Sequence, residues 1–145
     1  MSDADEHFRK LERMYQAAPT NAYYRPVLRV AEGEAELEIA VRPEFFHAAA
    51  AVHGSVYFKA LDDAAYFAVS SLVTDVLVLT VSYNIYLTRP VSEGVLRARG
   101  RVVHRSRQLL LAEAELFDGN SRQVARGSGS FMRSAIALSP AVGYV

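Results

Sequence analysis

The stretch His53-Gly54-Ser55-Val56-Tyr57-Phe58-Lys59-Ala60-Leu61-Asp62-Asp63-Ala64-Ala65-Tyr66-Phe67-Ala68-Val69 decides the fold. Gly54-Ser55 opens a helix, and Phe58, Leu61, Ala65, Val69 and Leu72 recur at helical spacing as one apolar stripe. Asp62 falls within that stripe. Asp63 falls on the polar side, four residues after Lys59, where a solvated ion pair is expected. An ionised carboxylate among apolar side chains is costly unless it is paired, reached by a cleft, or protonated. A structural carboxylate bonded to Ser, Thr or Tyr is one explanation, and a catalytic one is the other.

Around this helix the chain alternates. Residues 3–17 have Phe8, Leu11 and Tyr15 on one side, which suits a short amphipathic helix ended by Pro19 and Asn21. Residues 23–30 read as extended, and Glu32-Gly33 as a turn. In residues 34–41, Ala35, Leu37, Ile39 and Val41 alternate with Glu34, Glu36, Glu38 and Ala40, the mark of a half-buried strand. A loop over 44–52 leads into the long helix, which is expected to run to about Val73.

Four strands in meander-like succession are expected after it. The first, 76–88, puts Val81, Tyr83, Ile85 and Leu87 on one face. The second sets Leu96, Ala98, Gly100 and Val102 inward against Arg97, Arg99 and Arg101 outward. The third runs over 108–117, and Asp118-Gly119-Asn120 makes a hairpin turn to the fourth, 123–133. There Gly127 and Gly129 lie two apart on one face, where another backbone or helix can come close. One long apolar helix with an antiparallel sheet wrapped around it is the economical α+β solution. A single domain is expected over 1–145, with a helix and linker in 1–20 and a tail in 134–145.

Composition narrows the function. The chain has 16 basic and 16 acidic residues and formal net charge zero, so no field favours nucleic acid. There is no cysteine, which excludes disulfides, thiolate catalysis and cysteine-ligated metals. The acidic start lacks the build of a secretory signal, and no apolar run approaches the ~18 residues that cross a bilayer. A cytoplasmic protein with no membrane partner is the expectation. No residues have metal-ligand spacing, a lone Asp-Asp pair is a poor metal site, and no glycine-rich phosphate loop follows a strand. No cofactor is expected.

The amides at Gly54-Ser55 lack intrahelical acceptors and can polarise a carbonyl oxygen. Asp62 can act as general base on a water or as a nucleophile forming a mixed anhydride. Both must address the same carbon, yet eight residues of helix span about 12 Å. One chain cannot do both jobs at one carbonyl. The donor and the carboxylate then come from two subunits across a two-fold interface of paired helices.

His53-Gly54-Ser55 followed by Asp62 resembles the His-Gly-Gly-(six residues)-Asp signature of hotdog-fold thioesterases of the phenylacetic-acid-degradation (PaaI-like) group. The segment Leu79-Thr80-Val81-Ser82-Tyr83-Asn84-Ile85-Tyr86-Leu87-Thr88-Arg89-Pro90 looks like that family's strand after the helix, and 94–131 fits its last three strands. The likeness covers about 24–132. It implies a hotdog fold, and an acyl-CoA thioesterase working as a homodimer with shared sites, further paired into a homotetramer. It makes Asp62 the base or nucleophile and the Gly54 amide the carbonyl polariser, with Thr80 helping to hold the attacking water. His47 stands where the family commonly has an asparagine, and Ser55 replaces the second glycine of the pair. Ser106 also stands where a glycine is usual.

The acyl pocket is expected to be lined by residues such as Tyr57, Phe58, Tyr66 and Tyr83, with His53 and Ser55 at its mouth. His53 also reads as a packing or capping residue. Arg105 and Arg107 are candidates for the coenzyme A phosphates with Arg101 and Arg126, and Arg89 is placed further off; all of these also read as solvated surface. Two other functions stay open. A non-catalytic acyl-CoA-binding module is the first, although a sensor needs no carboxylate at the thioester. A hydratase or dehydratase of the same fold ranks last, because its usual Asp-and-His pair is not matched by His53 and Asp62.

Overall fold

The structure is a computed structural model that describes residues 1–145. Helix α1 (Asp3–Ala17) is capped by Ser2, which exchanges hydrogen bonds with Asp5 in a capping box. A single turn, α2 (Asn21–Tyr24), follows and takes in Tyr23 and Tyr24, where extended chain was expected; Arg25 ends it in the left-handed region (φ 53°). Strands β1 (Val27–Ala31) and β2 (Glu34–Ala40) form a hairpin, and a 3-10 turn over Pro43–Phe45 leads to helix α3 (Gly54–Ser70). Then come β3 (Val76–Leu87), β4 (Val95–Arg105), β5 (Leu110–Phe117) and β6 (Gln123–Ala137).

All neighbouring strands are antiparallel, in the order β1-β2-β4-β5-β6-β3. Only β4-β5-β6 is a meander. β3 crosses to the far edge and pairs with β6, so the strand that follows the helix is an edge strand and not a neighbour of β4.

Helix α3 lies across one face of this sheet. Val56, Tyr57, Ala60, Leu61, Ala64, Ala65 and Ala68 are buried, so the covered face is wider than the stripe read from sequence. Phe58, assigned to that stripe, is 40% exposed and stands at its border. The run of alanines lets the helix sit low. At Gly100 of β4 an added Cβ would lie 2.3 Å from the Ala64 carbonyl oxygen, so helix and strand touch backbone to backbone. Gly127 and Gly129 admit the β3 backbone, as expected, with the Asn84 and Ser82 carbonyl oxygens 2.7 Å and 2.9 Å from an added Cβ, and a side chain as well. They cradle the Tyr83 ring, which would come within 2.5 Å and 2.4 Å of a Cβ at those positions.

The expected common face of Val81, Tyr83, Ile85 and Leu87 on β3 holds only in part. The register shifts between Thr80 and Ser82, where two steps along β3 answer one step from Phe131 to Ser130. Such a bulge reverses the in–out parity of the strand. Val81, expected on one face with Tyr83 and Ile85, is 59% exposed, while Thr80 turns toward the helix on the same side as those two. The tail is ordered against the body: buried His7 of α1 contacts the Tyr144 hydroxyl at 2.7 Å and the Ser70 carbonyl oxygen at 2.9 Å.

Candidate active site

Two rows flank the buried face of α3. Phe58, Asp62 and Tyr66, spaced four apart, all face β3. The Phe58 ring meets Tyr83 edge-on at 5.8 Å, Tyr66 donates its hydroxyl to the Val78 carbonyl at 2.7 Å, and Thr80 Oγ1 donates to Asp62 Oδ1 at 2.9 Å. Asp62 therefore sits at the border of the apolar stripe and not within it. Its Oδ2 takes no hydrogen bond from the chain. Burial pushes the Asp62 carboxyl up to about 6; Thr80 opposes this, Asp63 adds to it, and Lys59 opposes it. A carboxyl poised there is largely ionised at neutral pH and still basic enough to accept a proton.

The Tyr83 hydroxyl is buried without a protein partner, and burial, then the charges of Asp62 and Glu113, raise it above the usual phenol range. Tyr57 is buried with its hydroxyl donated to the Arg89 carbonyl at 2.8 Å.

The other row is Lys59 and Asp63. Lys59 Nζ lies 2.7 Å from Asp63 Oδ2, so the expected pair is present. It is not solvated, however. The side chains are 15% and 14% exposed, and the same Oδ2 accepts from the Tyr15 hydroxyl at 2.5 Å. Burial raises the Asp63 carboxyl against the opposing pull of Lys59 and Tyr15. Nothing in the helical pattern signals this, because α1 covers the pair from 48 residues away.

At the helix start His53 is the cap. Its Nδ1 accepts from the Ser55 amide at 3.0 Å and lies 2.8 Å from the Ser55 hydroxyl, and its carbonyl accepts from the Val56 amide. The Gly54 amide lacks an intrahelical acceptor. A cleft of about 570 Å³ opens beside it, lined by His47, His53, Gly54, Tyr57, Leu87 and Arg89 among others. His47 is exposed, with Nδ1 accepting from the Ala49 amide at 3.0 Å and its ring 6.5 Å from that of His53. Arg89, placed further off from sequence, is thus the cation at the Gly54 end. Arg105 and Arg107 line a depression with Leu72 and Val73, beyond the C-terminal end of α3. Within one chain the structure gathers His47, His53, Ser55, Gly54 and Tyr57 at one end of the helix. Asp62, Thr80, Phe58, Tyr66 and Tyr83 gather along its flank.

The thioesterase superfamily profile matches residues 50–125, which hold α3, the bulged strand β3, and β4 and β5. The chain belongs to the thioesterase superfamily. A candidate esterase of Saccharolobus solfataricus is 30% identical over 81 residues, 56% of this chain and 54% of that protein, so the match spans about half of the relative's length. A candidate esterase of Sulfurisphaera tokodaii is 28% identical over 102 residues, 70% of this chain and 75% of that protein. Among solved structures, the E. coli PaaI protein from the phenylacetic acid degradation operon has a TM-score of 0.85 at 19% identity, covering 95% of this chain and all of its own. The hotdog architecture implied by the sequence resemblance is therefore present. No helix is long and apolar enough to cross a membrane.

Proposed function

We propose that this superfamily member hydrolyses acyl-CoA thioesters as a homodimer with shared sites, using Asp62 as general base. Water deprotonated by Asp62 attacks the thioester carbonyl carbon while the Gly54 amide of the partner subunit receives the developing oxyanion. The carbon–sulfur bond then breaks, the acid is released, and the thiolate leaves as coenzyme A after taking a proton. A thiolate is a good leaving group, so the step needs no dedicated general acid.

The observation that carries this reading is Asp62 itself: a half-buried carboxylate with one oxygen anchored by Thr80, the other free, and a raised proton affinity. The dimer rests on two supports. Eight residues of helix keep Gly54 about 12 Å from Asp62 in one chain. β3 is a 12-residue edge strand with Leu79, Val81 and Tyr86 more than half exposed, the kind of edge that pairs with another copy. Phe58, Tyr66 and Tyr83 then border the acyl group, and His47, His53 and Arg89 surround the carbonyl end. The operon named for the PaaI structure makes aryl-acetyl groups a first choice of acyl.

Thiol release from a panel of aryl-, short-, medium- and long-chain acyl-CoAs tests this, with Asp62→Asn beside the wild type. Hydrolysis by the wild type and a loss of ~100-fold or more in the variant, with binding retained, is the expected result. Binding without thiol release by the wild type would leave an acyl-CoA-binding module instead.

A further inference from the structure

Asp63 and its partners do nothing in the reaction just described, yet they are built at some cost. A carboxylate and an ammonium, each about 15% exposed, are held between α1 and α3 one residue from Asp62. Lys59 Nζ lies 5.2 Å from the centres of both the Tyr15 and Tyr24 rings, which screen the pair from water. Buried ion pairs add little stability compared with apolar side chains of the same volume. Anchoring α1 does not need them either, since Phe8, Leu11 and Met14 are already buried against the core. The superfamily profile begins at residue 50, so neither Tyr15 nor the helix that carries it is part of the matched segment.

We infer that Asp63, clamped by Tyr15 and Lys59, is a positioning residue that sets the electrostatic environment of Asp62, making the N-terminal helix part of the catalytic unit. The inference rests on the hydrolytic reading of Asp62. The groups facing Asp62 are few. Lys59, Asp63 and Tyr66 come from α3, Tyr15 from α1, and Thr80 and Tyr83 from β3, with Glu113 of β5 acting on Tyr83. Among them Asp63 raises the Asp62 carboxyl and Lys59 lowers it, so the two push in opposite directions. Fixing both on one oxygen keeps that opposition constant. Tyr15 supplies the second bond that stops the Asp63 carboxylate from turning away.

The test reads the Asp62 carboxyl directly by carbon NMR titration of the full chain, its resonance assigned by its loss in Asp62→Asn. Asp63→Asn is expected to lower the Asp62 midpoint by ~1 pH unit. The Lys59→Met/Asp63→Asn pair, which buries no lone charge, should fold and titrate above Asp63→Asn, because the cation that lowers Asp62 is gone. Tyr15→Phe should lower the midpoint by a smaller amount, because a less anchored Asp63 is more readily protonated. The acid limb of kcat/KM should move with each titration while KM changes less than ~2-fold.

An Asp62 midpoint that stays at the wild-type value in all the folded variants would overturn the inference. So would a Tyr15→Phe chain that titrates like wild type, for the part assigned to α1. The titration needs no turnover. A wild type that cleaves no thioester would sink the hydrolytic reading alone, and the NMR shifts would still decide the coupling.

Discussion

The Thr80 hydroxyl reaches Asp62 only because β3 bulges between Thr80 and Ser82. Without the extra residue, Thr80 would point to the outer face of the sheet and Val81 would meet the helix. A hydrogen bond from a hydroxyl to a buried anion contributes roughly 1.5–3 kcal/mol. Thr80→Val keeps the shape and removes the donor, so the Asp62 carboxyl should titrate higher still. We expect kcat/KM at pH 7 to fall ~10-fold, with part of the loss recovered at pH 8.5. A profile unchanged from wild type would show that Thr80 only fills space.

The pH dependence of the wild type has a definite sign. A general base must be ionised, so kcat/KM should rise as pH climbs through about 6, the value to which burial lifts Asp62, and level off above pH 7. A stopped assay over pH 4.5–8.5 with a stable thioester checks this. An acid limb centred near 4 would mean that Asp62 is more solvated than its place beside β3 implies.

The same shift makes Asp62 a burden on stability. Its folded value, about 6, lies above its ordinary value of 3.8, so the folded state binds the extra proton between them. Below pH 3.8 both states are protonated and nothing is lost. Stability falls as pH rises from about 4 to 6, and above 6 the full cost applies, on the order of 3 kcal/mol by linkage. Asp62→Asn should therefore be more stable than wild type at pH 8, by ~2 kcal/mol, and gain little at pH 4. Urea unfolding at the two pH values measures the difference. Equal stability at both would remove the claim that desolvation governs this carboxyl.

Much of this was legible in the chain itself. The alternation of residues 34–41 and the single apolar helix gave the α+β architecture, because a half-wet strand and a covered helix leave opposite periodicities. Asp62 stood out for the same reason, as a charge read within an apolar stripe, although the structure sets it at the stripe's border. The bulge in β3 was not legible: one extra residue in a β-branched run changes no local preference, and only pairing with Phe131 and Ser130 reveals it. The burial of Asp63 was hidden too, since a Lys–Asp spacing of four reads as surface until α1 is laid over it. Arg89 reaches the Gly54 end because β3 runs back along the helix to the far edge, a crossing that periodicity does not encode.

Gly100 is a packing requirement with a functional echo. An alanine there would set its methyl 2.3 Å from the Ala64 carbonyl oxygen, and no flexible side chain is available to give way. The helix must lift two residues from Asp62. We expect Gly100→Ala to cost roughly 1–3 kcal/mol and to lower kcat more than it raises KM. Thermal unfolding and steady-state kinetics read the two effects. A variant with wild-type stability would mean that helix and sheet are less closely packed than this contact requires.

Shared sites make a sharper prediction, because Gly54 and Asp62 can be inactivated separately. Gly54→Pro removes the amide hydrogen and leaves the helix intact, since proline suits the first helical position and His53 already has the extended backbone that a following proline needs. A Cβ added at Gly54 meets only the tip of the Leu87 side chain, at 3.0 Å, which can move. Asp62→Asn removes the base. Each homodimer should be nearly inactive. In a mixed dimer, the site joining Gly54 of one subunit to Asp62 of the other is intact, and the second site lacks both groups. Random reassembly of equal amounts should restore about one quarter of wild-type activity, since half the dimers are mixed and each has one working site of two. Co-expression with two affinity tags, followed by purification of the mixed species, should raise this to about one half. If the mixed dimer is as inactive as its parents, the donor and the base belong to the same chain, and the two-subunit site is wrong.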